Sequence, residues 1–120
     1  MNGAIVIRWT SAIPGREAKG LEVFGEAVGR FEGYAKAGRI AAHREFFSVS
    51  GSQGGFMLVE GELGELAKIM VEDDTLRLND RAGAIVAGFA VDLFGGGDDQ
   101  SIQSLMGQYT EAVGDLGYMA

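Results

Sequence analysis

The chain has 120 residues, 47% of them hydrophobic and 22% charged, with a net charge of -7. That is the profile of one globular domain with core enough to fold without staples. It has no cysteine and one histidine, which excludes disulfides, thiolate metal sites, cysteine nucleophiles and His-rich metal centres.

The charge is uneven: residues 60–80 hold seven acids against Lys68 and Arg77, and residues 92–120 hold five acids and no base. Such a surface repels phosphate backbones, so nucleic acid is not an expected partner. No apolar run approaches the ~20 residues of a membrane span. MNGAIVIRWT lacks the basic start of a signal peptide, and the expected location is cytoplasmic.

Ala4 to Trp9 is short, β-branched and aromatic, and reads as a strand. From Gly15 to Ala37, the residues Leu21, Phe24, Val28, Phe31 and Ala35 recur at steps of three and four. This predicts an amphipathic helix, with Pro14 near its first turn and Gly38 ending it. Arg39 to Val49 is a second strand, SGSQGG at 50–55 a turn, and FMLVEG a third strand, together a hairpin.

Glu62 to Val71 returns to helical spacing, and Asp73 or Asp74 caps a further short turn through Leu78. Ala82 to Phe94 is apolar at both parities, as in a strand buried on two sides. After GGGDD, the residues Ile102, Leu105, Met106, Tyr109, Val113 and Leu116 form one stripe of a last helix within 98–118.

The order β, α, β, β, α, β, then α is the split βαβ or ferredoxin-like arrangement, an α+β fold with both central helices on one sheet face. Phe46 and Phe47, Met57 and Leu58, and Val86 and Phe89 put apolar bulk at both parities. The face away from the helices should therefore also be covered, most simply by a second copy.

Over residues 4–94 the chain resembles the dimeric α+β barrel superfamily, which includes small ABM-type monooxygenases and muconolactone isomerase-like proteins. The residues that carry this are PGREAKGLEVFGEAVGRF opening the first helix, GGFMLVEG as the return strand, and the acidic MVEDDTLRLNDRAG before the last strand. More narrowly, it is similar to a bacterial family with no assigned activity. The resemblance implies a homodimer with a cavity in each half of a barrel. Haem-degrading members pair a histidine of the second helix with Asn and Trp; the second helix here has no histidine, so haem chemistry is not carried over.

His43, Glu45 and Phe47 share one strand face, Arg44 and Phe46 the other. His43 with Glu45 could be a base with its orienting carboxylate, or one polar corner of a structural strand. The hairpin register decides what faces them: pairing numbers that sum to 103 set His43 opposite Glu60, and 104 sets Arg44 there. Arg8 either pairs with Glu60 or Asp92 at the barrel rim, or offers an anionic ligand a donor fork with Trp9 as a wall.

The pocket residues expected from this pattern are Trp9, Glu45, Phe47, Met57, Glu60 and Phe89. GGGDD lacks the residues of a phosphate cradle or calcium loop, which leaves Asp98 or Asp99 as a helix cap. Glu72-Asp73-Asp74 reads as a solvated acidic turn. Gly25, Gly29 and Gly33 make a ribbon beside the apolar stripe of the first helix, either a seat for the last helix or compositional drift.

Three functions fit. One is binding a small, mostly apolar molecule in the barrel without metal or cofactor. Another is a cofactor-independent isomerase or monooxygenase using His43 as base, with Arg8 or Arg44 steadying an oxyanion. The last is a structural dimer module that docks a protein partner.

Overall fold

The computed structural model describes residues 1–51 and 54–117. Its elements are β1 (Asn2–Trp9), β2 (Ser11–Ala12), α1 (Glu17–Lys36), β3 (Ala42–Phe47), β4 (Gly55–Glu62), α2 (Leu63–Val71), α3 (Asp73–Gly83), β5 (Val86–Ala87), β6 (Ala90–Gly95) and α4 (Asp99–Gly114). Ser52 and Gln53, in the middle of the expected turn, and Tyr118, at the expected end of the last helix, lie outside the described residues.

The main sheet runs β3-β4-β1-β6, with every neighbouring pair antiparallel. This is the ferredoxin-like α+β arrangement. β2 and β5 pair separately, Ser11 with Ala87 and Ala12 with Val86, a small flap absent from the sequence expectation.

Strand alternation sorts the sheet into two faces. Ile5, Ile7, Trp9, His43, Glu45, Phe47, Met57, Val59, Val91 and Leu93 fall on one, by the registers of β1, β3, β4 and β6. The helices cover this side. Val23, Ala27 and Phe31 of α1, Leu66 and Ile69 of α2 and Leu78 of α3 join Ile5, Met57 and Val59 in one core. Val59 and Leu66 are completely buried.

Local chemistry sets the helix ends. α1 stops at Gly38, whose φ of 75° suits a residue without a side chain, and the Arg39 amide returns to the Tyr34 carbonyl at 2.9 Å. α2 begins where the Glu62 carboxylate accepts the Gly64 and Glu65 amides at 2.5 and 3.2 Å. Asp98 caps α4 by accepting the Ser101 amide at 2.7 Å. That cap also holds β1, because the Asn2 side chain donates to Asp98 and the Asn2 amide donates to Ser101 Oγ at 2.9 Å.

Three expectations need correction. The short turn from Asp73 is a full helix to Gly83, so Ala82 belongs to α3. The continuous strand expected over 82–94 is broken into β5 and β6, and Phe89 lies between them in neither. Gly88 makes the break: its φ is 68°, and a Cβ there would sit 2.6 Å from Thr10 Oγ1. The hairpin sum is 102, with Ala42 opposite Glu60, His43 opposite Val59 and Arg44 opposite Leu58.

The opposite sheet face carries Val6, Arg8, Arg44, Phe46, Phe56, Leu58, Glu60, Asp92 and Phe94. Here Phe46 and Phe56 stack at 4.8 Å, yet stay 40% and 41% exposed. α4 touches the body mainly along β6, and Ile102, Met106 and Tyr109 are exposed along it, as is Leu116 just past its end. It does not lie on the α1 glycines, beside which there is open space.

Candidate functional site

Between the helix-covered sheet face and the helices lies a cavity of about 320 Å³. Ile5, Ile7, Met57 and Val91 form its floor from the sheet. Val23, Phe24, Ala27 and Phe31 of α1, with Leu78 and Ala82 of α3, form its walls, and Ile85, Val86 and Phe89 close one side. It exists because the helices present small or branched residues, notably Ala27 and Ala82, toward a flat aliphatic floor.

One end is aromatic. Trp9 meets Phe24 at 6.2 Å and Phe47 at 6.0 Å, edge to face, and Phe24 and Phe47 lie 5.1 Å apart. Such pairs hold each other's ring orientation, so this end presents a fixed aromatic surface to the cavity. Trp9 is also the chain's single tryptophan.

The polar residues around the cavity come from the helices: Glu17 and Arg30 from α1, Thr75 and Asn79 from α3. Glu17 accepts the Gly15 amide at 3.2 Å. Arg30 donates to the Tyr34 hydroxyl at 3.4 Å and lies 3.5 Å from Asp74. The hydroxyl of Thr75 is buried and has no hydrogen-bond partner, the single such side-chain atom among the described residues.

The expected site residues therefore divide. Trp9, Phe47, Met57 and Phe89 line the cavity. His43 and Glu45 lie on the same sheet face but beside it, with Nδ1 of His43 2.5 Å from the Glu45 carboxylate. Phe31, which lines the cavity, stands next to the imidazole with ring centroids 6.1 Å apart.

Arg8, Arg44 and Glu60 project from the other face. Arg8 pairs with Asp92 at 3.3 Å, and Arg44 donates through Nε to Glu60 at 3.0 Å. Neither arginine can share one substrate atom with His43, because the sheet stands between them. The cause is the register: a sum of 102 has the parity of 104, so Arg44 and Glu60 meet on one face, diagonally rather than directly.

Sequence reasoning passed over Thr75 and Asn79. Their signal was present: Thr75, Leu78, Asn79 and Ala82 follow helical spacing, but ending the helix at Leu78 hid it. Further charge lies at the α1–β3 junction, where Arg39 pairs with Glu65 at 2.7 Å and Glu72 at 2.5 Å. The Arg39 guanidinium holds the Glu72 carboxyl below its ordinary value. Among the described residues, no group of three or more His, Cys, Asp or Glu is placed to hold a metal. No helix there is long and apolar enough to cross a membrane.

Comparison with known proteins gives a fold. No family model matches the chain, and no curated protein matches it. Among solved structures it is similar to SnoaB from Streptomyces nogalater, described as a cofactor-independent oxygenase. The two share 14% identity with a TM-score of 0.59, over 81% of this chain and 94% of that one. A mutant form of SnoaB is similar over the same shares, at a TM-score of 0.62. The chain has the ferredoxin-like fold of these structures.

Proposed function

We propose that this protein is a homodimer that binds a small, mostly apolar molecule in each subunit, between the sheet and the helices. The cavity carries the reading: about 320 Å³ falls within the range of ligand sites, and an apolar lining with a few polar groups is their usual character. Trp9, Phe47, Met57 and Phe89 would contact the ligand. The space between two facing sheets would instead be the subunit contact, burying Phe46, Phe56 and Phe94, large apolar groups exposed in the single chain. The exposed stripe of α4 would add to that contact from the sheet end.

Native mass spectrometry of the protein as purified tests both parts. The expected species is twice the 12.7 kDa chain with added small-molecule mass. A bare monomer would overturn the proposal.

A second reading is a cofactor-independent oxygenase or isomerase acting on the held molecule, with His43 as base. Its support is the likeness to SnoaB and the close His43–Glu45 pair. Catalysis would require Phe31 to swing aside, since its ring flanks the imidazole and lines the cavity. Arg8 and Arg44 would act in this reading only across the subunit contact. His43→Ala should abolish any oxygen consumption with a bound ligand while leaving its affinity unchanged; equal consumption by the variant would remove His43 from the chemistry.

A further inference from the structure

We propose that Thr75, with Asn79 one turn along α3, reads a single hydrogen-bonding oxygen on the cavity's occupant, selecting molecules with one carbonyl or hydroxyl over hydrocarbons of the same shape. This rests on the reading of the cavity as a small-molecule site and names what that site discriminates.

The distribution of polar atoms points there. The sheet floor is aliphatic, and the polar residues Glu17 and Arg30 already have partners within the chain. Thr75 Oγ1 is buried with none. A buried hydroxyl without a partner is destabilising, because it has given up water for nothing. Thr75 stands in the first turn of α3, after the extended Glu72, so it has no preceding helical turn whose carbonyl could accept its hydroxyl.

Thr75 is among the residues lining the cavity, and threonine in a helix populates two χ1 wells, so its hydroxyl has a second direction open to it. Asn79 lies four residues on and shares that helix face, and its amide offers both donor and acceptor. A ligand oxygen between them would fill the missing bond. A hydrocarbon of equal size would leave it unmade, and unpaired polar groups are what make such a site selective.

The test uses α-tetralone and tetralin, one bicyclic skeleton with and without a carbonyl, titrated into the full chain and followed by NMR. The ketone should bind about fivefold tighter, the worth of one hydrogen bond. Thr75→Val should weaken the ketone about fivefold, leave tetralin unchanged, and hold or raise the melting temperature, since it removes an unpaired hydroxyl. Thr75→Ser should keep the preference.

Equal affinity of the two probes for the natural chain, or an equal loss of both in Thr75→Val, would overturn the inference while leaving the cavity as a binding site. If neither probe binds, the cavity reading falls, and this inference with it.

Discussion

The two faces of the sheet are built from the same strands, yet they differ in what covers them. On the covered face, α1, α2 and α3 bury Ile5, Met57 and Val59 and leave an apolar space beside them. On the open face, Phe46, Phe56 and Phe94 are exposed, and the charges close pairwise, Arg8 with Asp92 and Arg44 with Glu60. One face borders an apolar space under helices; the other presents exposed rings beside paired charges. Strand alternation lets one segment serve both faces, because neighbours such as Val6 and Ile7 point to opposite sides.

The largest effect should come from charging the open face. In the proposed homodimer, Phe56→Arg would put a buried, unpaired cation between two sheets and weaken association at least about 100-fold. Sedimentation equilibrium should show monomer with an unchanged far-UV circular dichroism spectrum; a persisting dimer would mean that the subunits meet elsewhere.

Filling the covered face comes next. Ala27→Phe points into the cavity from α1 and should cut ligand affinity about tenfold or more by occupying the space. If the space is real, the added ring is accommodated; in a solid core the same change would cost ~1–3 kcal/mol. Thermal melting separates the two.

Acid should weaken the fold through groups outside both faces. Asp98 is held below its ordinary value by the Ser101 amide first, then by the Ser101 and Asn2 side chains, and Glu72 by Arg39 first. Both folded pKa values are depressed. Their contribution is therefore complete above the unfolded carboxylate values and is lost as pH falls through the folded ones. Melting temperature should drop on acidification below about pH 4, and less steeply in a Glu72→Gln, Asp98→Asn double variant. Parallel curves would contradict this.

The smallest effect should come from the α1 glycines. A Cβ at Gly25, Gly29 or Gly33 meets nothing within 4 Å, so alanine there should stabilise by about 0.5–1 kcal/mol each, read by chemical denaturation. Destabilisation would show that a partner packs against the ribbon.

Much of this contrast was legible in the sequence. The element order and the apolar residues at both parities gave the ferredoxin-like arrangement and an open face in need of cover. Of the residues expected around a barrel pocket, Trp9, Phe47, Met57 and Phe89 stand around a space between sheet and helices instead, and Glu45 and Glu60 stand outside it. The side of the sheet on which that space lies was not legible, because it follows from how α1 and α3 pack over the sheet, a tertiary property.

Register was hidden for a related reason. Neither 103 nor 104 was the sum, and a single step reverses every facing residue, so the placement of Arg44 and His43 needed coordinates. The strand break at Gly88 escaped because an apolar run reads alike whether it is one strand or a helix end, a flap and a strand.

The most direct test is to detect, by NMR, contacts between the protons of bound α-tetralone and the protein's methyl groups. Val6 and Ile7 are adjacent in β1, and Met57 and Leu58 in β4, but each pair straddles the sheet. Contacts to Ile7, Met57, Leu78 and Val91, with none to Val6 or Leu58, are expected. Contacts to Val6 and Leu58 instead would put the ligand between the sheets and contradict the division of labour between the two faces.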